Sequence, residues 1–188
     1  WTNDSALPNW NNVNIAQSFR EPATYYMLSG DSADLKASYR VHHLVRRIFG
    51  QVPGGMFGAD ENARLAYIDP RQGTETCGFV EQMASDEIML CMTGDPFWAE
   101  HCEDVAFNSY PAAVMPDFKA LRYITCPNQV VSDSQNHSPG IDNGGPFLAM
   151  NPFSSRCCQH NHAQGWPYYI ENLMYATPDN GLAAVIYG

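Results

Sequence analysis

The chain has 188 residues, enough for one domain with a sizeable core, and with 45% of them apolar and only 16% charged it is not a largely disordered chain. Ten Lys and Arg stand against twenty Asp and Glu for a formal net charge of -10, so a basic face for nucleic acid is lacking and a neutral or cationic small substrate fits better. No apolar run approaches the roughly 18 residues of a membrane-spanning helix, so no membrane partner is expected.

Residues 1–12 have neither the basic start nor the apolar centre of a signal peptide. The chain begins without Met and ends on an apolar run over 182–187, so it reads as a segment of a longer protein, with periplasmic, secreted and cytoplasmic locations all open. From 14 to 28, apolar residues at Ile15, Phe19, Tyr25, Tyr26 and Leu28 predict a helix kinked or begun at Pro22 and stopped at Gly30. Asp31 or Ser32 then caps a second helix over 33–49, whose stripe is Leu35, Tyr39, Val41, Leu44, Val45, Ile48 and Phe49. His42 and His43 are consecutive within it and point to different faces; the plainer reading puts them in core and solvent, the other sends one into a pocket.

Residues 50–73 are punctuated by Gly54, Gly55, Gly58 and Pro70 and hold Asp60, Glu61, Arg64, Asp69 and Arg71; a loop of this length in a compact domain is usually functional. A third helix is expected from Thr74 or Glu75 to about Met92, with Phe79, Val80, Met83, Ile88, Leu90 and Met92 in apolar contact and Gly94 as its stop. Asp95 and Pro96 open a fourth, running through Trp98 and Cys102 toward Ala113. The run Met27-Leu-Ser-Gly-Asp31 thus has a counterpart in Cys91-Met-Thr-Gly-Asp95, and each reads as helix, Gly stop, Asp cap, helix. Paired helical hairpins of this kind predict a stacked or circular α/α architecture. Residues 116–152 are poorly helical, with Tyr123, Ile124, Val130 and Val131 as extended candidates; a last helix follows from Cys158 or His160 to about Tyr175, then a turn at Asp179, Asn180 and Gly181 and a final strand.

Six cysteines, at 77, 91, 102, 126, 157 and 158, lack the spacing of a disulfide scaffold and read mostly as buried thiols, with Cys91 and Cys102 the best core fillers. Cys157 and Cys158 are neighbours, a geometry that strains a mutual disulfide and asks for another explanation. Glu75 and Cys77 add a carboxylate and a third thiol, a set that suits tetrahedral zinc. Spacing leaves two alternatives open: four unconnected residues, or a metal-free nucleophile pair of Cys157 with His160 or His162.

The runs Gly55-Met-Phe-Gly-Ala-Asp-Glu61, Thr74-Glu-Thr-Cys-Gly78, Gly144-Gly-Pro-Phe147 and Arg156-Cys-Cys-Gln-His160 resemble glycoside hydrolase family 127, whose founding activity is β-L-arabinofuranosidase, in the family's order and over essentially the whole chain. The resemblance implies that residues 1–188 are part of a mainly α catalytic domain, a partial (α/α)6 barrel, with the rest of the barrel and β-sandwich domains to be supplied elsewhere. It implies Zn2+ held by Glu75, Cys77, Cys157 and Cys158, with Cys157 also the nucleophile of a retaining mechanism and Glu61 the general acid/base. Retention calls for a Glu61 carboxylate roughly 5–6 Å from the Cys157 sulfur. Without the resemblance, Glu61 reads as a loop ion pair with Arg64 or Arg71. His137, His160, His162 and Trp166, with Tyr168, are candidate sugar contacts, since imidazole donors and aromatic faces suit sugar rings; core or supporting positions are the alternative. The expected substrate is β-L-arabinofuranose in glycoconjugates or pectic polysaccharide. A different pectic sugar, such as an acidic branched residue, and a non-catalytic zinc-stabilised glycan-binding module are the other readings, and a homo-oligomer is compatible with all of them.

Overall fold

Asn11 caps the first helix by accepting the Val13 N–H at 3.1 Å, and that helix, α1, spans Asn12–Ser18. A second, α2, starts afresh at Glu21–Ser29 with Pro22 in its first turn. The single helix expected over 14–28 is therefore two, because a proline cannot donate into the preceding helix. In the computed structural model the described residues are 11–60, 62–64, 68–69, 72–127 and 157–187. The expectations for Glu61, Arg71, Val130, Val131, His137, the run from Gly144 to Phe147 and Arg156 lie outside them.

The two Gly-Asp junctions fold alike. Gly30 and Gly94 both take left-handed backbone angles, φ 66° and 65°, and donate N–H to the carbonyls of Tyr26 and Leu90 at 2.9 and 2.8 Å. Asp31 and Asp95 then accept from the N–H of Ala33 and Phe97 at 2.9 and 3.0 Å, opening α3 (Ser32–Phe49) and α5 (Pro96–Asp104). The repeat extends one residue further back, since the hydroxyls of Ser29 and Thr93 each accept the N–H of the capping Asp at 3.1 Å. Each junction folds its helix back on the next, α2 on α3 and α4 (Thr76–Thr93) on α5. The α5 helix continues toward Ala113 as expected, through a π-helical turn at Val105–Ser109 and a short α6, Tyr110–Ala112.

Helix α4 is the element the others surround: α1, α5 and α7 (Cys157–Glu171) pack on it, and from Thr76 to Met83 every residue is buried. It buries acids as well as apolar groups, and each acid draws a partner from a different neighbour. Glu81 accepts from Arg20 at 3.0 Å, Asp86 pairs with His101 at 2.7 Å, and Glu87 accepts from Asn172 at 3.0 Å. Partnered this way, the polar groups avoid the cost of burial without hydrogen bonds and fix the order of the surrounding elements. Ile88, expected in the apolar contact set, is instead exposed. Cys102 is buried as expected, but Cys91 is exposed, because it falls in the last turn of α4 where neighbours no longer enclose the helix. His42 is a core imidazole, ringed by Phe19, Phe97 and Trp98 and pushed down to about 2 by burial and then by Arg46, while His43 faces solvent.

The last helix ends at Glu171, four residues short of the expected limit. Tyr175 lies instead in β3 (Met174–Ala176), paired antiparallel with β4 (Leu182–Ala184) around a turn in which Asn180 is left-handed at φ 63°. Its hydroxyl donates to the Glu87 carbonyl at 3.1 Å, so tertiary anchoring outweighs local helix preference there. Among the described residues the fold is mainly helical, and no helix is long and apolar enough to cross a membrane.

The Glu87 carboxyl makes the stability of the fold pH-dependent. Burial, reinforced by Asp86, raises its carboxyl to about 8 against the Cys102 and Asn172 hydrogen bonds. The folded chain thus holds a proton that the unfolded chain releases near the ordinary carboxylate range, and stability falls as pH rises from about 4.5 to 8. The slope is at most about 1.4 kcal/mol per pH unit. Glu87→Gln should flatten it, so thermal melts of variant and native protein should diverge between pH 5.5 and 8.5, with the variant the more stable at the alkaline end.

Candidate metal and catalytic site

The first turn of α4 is set by pairing across the chain. Strand β1 (Thr74–Glu75) runs antiparallel to β2 (Ile124–Thr125), with Glu75 opposite Ile124. The Thr76 N–H donates to the Tyr123 carbonyl at 3.0 Å and its hydroxyl to the Arg122 carbonyl at 2.7 Å. On the other side the Glu75 N–H donates to the Ala59 carbonyl at 3.2 Å. Glu75 and Cys77 are thereby fixed at the start of α4, each no more than 1% exposed, and the packing of α7 on α4 brings the first turn of α7 against them.

That contact assembles the four residues singled out in the sequence. One ligand atom from each of Glu75, Cys77, Cys157 and Cys158 lies within 4.8 Å of the other three. The Cys77 and Cys158 sulfurs are 3.2 Å apart, and the Cys158 sulfur is 3.8 Å from Glu75 Oε1. A tetrahedral zinc with these donors would set the ligand atoms about 3.5–3.8 Å apart, close to what the cluster offers. Three thiols and a carboxylate also match zinc in donor character. Glu75, Cys77 and Cys158 are buried, whereas Cys157 is exposed.

The field among these groups opposes thiolates. Cys77 is pushed well above the usual thiol range by its hydrogen bond with Cys158, then by burial and by the Glu75 charge. Cys157 is raised by burial and then by Cys77. For Cys158 the hydrogen bond from Cys77 pulls down, but burial and the Glu75 and Cys157 charges outweigh it and the net direction is up. A bound divalent cation inverts this balance, since it stabilises every deprotonated ligand at once. The four residues therefore fit a metal ion, and zinc in particular.

Around the cluster, Tyr123 brings its hydroxyl to 4.0 Å from the Cys157 sulfur and its carbonyl to 4.0 Å from that of Cys158. Asn161, one turn along α7, hydrogen-bonds Cys77 and favours its thiolate. Neither stood out in the sequence: Tyr123 reaches the site only through β1–β2 pairing, and Asn161 only because α7 is helical from its first residue. A cleft of about 1250 Å3 is lined by Arg122, Thr125, Gln159, His162 and Trp166 among others, while none of the four clustered residues nor Tyr123 is among its lining residues. His162 stacks on Tyr110 with ring centres 4.3 Å apart, and burial lowers its affinity for a proton. Trp166 meets the same tyrosine edge-on at 5.3 Å. His160 is exposed and is not among the residues that line the cleft. Arg64 pairs with Asp60 at 2.7 Å, the neighbour of the residue proposed as its partner in the plainer reading of Glu61; Glu61 and His137 lie outside the described residues.

The model of a known family, described as β-L-arabinofuranosidase, GH127 catalytic domain, matches residues 1–171. No curated protein and no solved structure matches the chain. The family match ends where α7 ends and takes in all four clustered residues as well as both Gly-Asp junctions. Covering most of the sequence, it shows that the chain belongs to the catalytic-domain family of glycoside hydrolase family 127, a family of enzymes that act on carbohydrate.

Proposed function

We propose that the protein is a zinc-dependent retaining glycosidase that releases β-L-arabinofuranose from glycoconjugates or pectic polysaccharide, with Cys157 as nucleophile and Glu61 as acid/base. Residues 1–188 would form a segment of an (α/α)6 barrel, a reading supported by the two like helical hairpins, with the rest of the barrel and β-sandwich domains completing the enzyme. The observation that carries the catalytic reading is the contrast within the cluster, in which Glu75, Cys77 and Cys158 are buried while Cys157 is exposed.

In the first step the Cys157 sulfur attacks the anomeric carbon, the bond from that carbon to the glycosidic oxygen breaks, and the departing oxygen takes the Glu61 proton. In the second, the Glu61 carboxylate takes a proton from water as its oxygen attacks the same carbon, and the carbon–sulfur bond breaks to return the cysteine. Two inversions give net retention. Zinc held by Glu75, Cys77, Cys157 and Cys158 would supply the positive charge that keeps the sulfurs deprotonated and makes Cys157 a competent leaving group. Tyr123, with its hydroxyl near Cys157, would hydrogen-bond the thiolate, and His162 and Trp166, which line the cleft on the α7 side, would offer the sugar an imidazole and an aromatic face.

The test is a panel of synthetic aryl furanosides and pyranosides presented to the natural full-length protein with and without chelator, with the anomer of the product followed by NMR. The β-L-arabinofuranoside should be cleaved with retention and only by the metal-loaded protein. Cleavage of another pectic glycoside instead would keep the mechanism and change the sugar; tight glycan binding without cleavage would favour a non-catalytic module.

A further inference from the structure

A single amide side chain occupies the junction between the metal cluster and the segment that leads to residue 61. Asn12, the first residue of α1, is fully buried, and its Nδ2 donates to the Ala59 carbonyl at 2.6 Å. That carbonyl also accepts the Glu75 N–H, so one oxygen ties Asn12 to the backbone of a metal-site residue. Ala59 bridges Thr74 in parallel as well, and the preceding residue of α1's entry, Asn11, bridges Asn62 antiparallel. The Asn11-Asn12 pair therefore tethers the chain on both sides of position 61.

The other face of the amide meets the first turn of α4. A Cβ on Gly78, the residue after Cys77, would fall 1.5 Å from Asn12 Oδ1. The atoms it would meet are those of the Asn12 amide itself, so glycine at 78 leaves the room that the amide fills in this position. Among the described residues, Asn12 Oδ1 is buried without a hydrogen-bond partner, a cost the side chain carries while its Nδ2 donates to Ala59.

We propose that Asn12 is a positioning residue, holding the segment around Ala59 against the first turn of α4 and so fixing Glu75 and Cys77 for metal binding. The assignment rests on the metal-site reading above for its consequence but not for its geometry. Supporting groups of this kind, which orient ligands without touching the metal, typically matter by about 10–100-fold in affinity.

The experiment compares native protein with Asn12→Ala and Asn12→Asp. In the metal-free protein, amide exchange over 59–62 and 74–78 should speed at least about tenfold in Asn12→Ala, because the Glu75 N–H to Ala59 bond loses its second anchor. In the metal-loaded protein, zinc affinity measured by chelator competition should fall about 10–100-fold, with kcat lowered and KM changed less than about twofold. Asn12→Asp keeps the shape and loses the donor when ionised, so its deficit relative to native protein should shrink as pH falls and the carboxyl regains an O–H. Unchanged exchange over those segments overturns the proposal whether or not zinc binds. Faster exchange with zinc affinity and kcat within twofold of native also overturns it, leaving Asn12 a packing residue. A native protein that binds no zinc overturns the metal reading separately, and the exchange result still decides whether Asn12 holds the segment.

Discussion

Replacing Cys157 with alanine should lower turnover by at least about 10⁴-fold while leaving zinc stoichiometry near one and the fold intact. The side chain is exposed, so its loss leaves no buried cavity, and Glu75, Cys77 and Cys158 remain as three protein ligands, the number that commonly suffices in catalytic zinc sites. Cys157→Ser should be nearly as inactive, since a hydroxyl is a poorer nucleophile than a zinc-supported thiolate. Both variants are to be assayed on the aryl β-L-arabinofuranoside alongside metal analysis of the purified protein. Turnover within tenfold of native in either would place the nucleophile elsewhere. Loss of metal together with turnover would make the experiment a measure of coordination, and then mass detection of a glycosylated Cys157 peptide in a Glu61→Gln background separates the roles.

The second large effect is expected on metal removal. Stripping zinc, or replacing the buried Cys158 or Cys77 with alanine, leaves raised thiols beside a buried carboxylate at the interface of α4 and α7. With free zinc at about 1,000 times its dissociation constant, binding contributes roughly 4 kcal/mol. For a chain of this size that corresponds to a fall of about 8–16 °C in Tm on chelation, read by calorimetry. The pH dependence has a definite sign. All three thiols are held above their ordinary range and must lose protons to bind, so apparent zinc affinity should climb as pH rises and protons should be released on binding. A melt insensitive to chelator at neutral pH would count against a structural or catalytic metal alike. The Glu87 effect runs the other way, which lets the two be separated: metal-free protein should lose stability with rising pH while metal-loaded protein recovers it.

Much of the helical framework was legible because its signals are local. A glycine able to take a left-handed angle and an aspartate able to accept a hydrogen bond two residues on are sufficient to end one helix and begin the next, at Gly30-Asp31 and again at Gly94-Asp95. The stripe of α3 was equally plain, because one face is buried and the other is wet. Helix α4 hides its environment. Enclosed nearly all round, it has no periodicity to read, so the burial of Glu81, Asp86 and Glu87 and the exposure of Ile88 could not be told from spacing. The end of α7 was misplaced for a related reason: Tyr175 is drawn into a hairpin by a hydrogen bond to residue 87, and the helical pattern does not know of it.

For the site the division is similar. Residue types made Glu75, Cys77, Cys157 and Cys158 a set that suits zinc, because thiolate and carboxylate chemistry belongs to the side chains wherever they lie, and the family resemblance singled these four out as ligands. Only the tertiary structure decided that they meet, since eighty residues separate Cys77 from Cys157 and their approach depends on α7 packing against α4. It also decided which of the three cysteines is exposed, brought Tyr123 beside it through a two-residue strand pairing, and placed Asn12 between Ala59 and Gly78. Exposure, hydrogen-bond reach and close contact are properties of distance, and distance between residues far apart in the chain is set by packing.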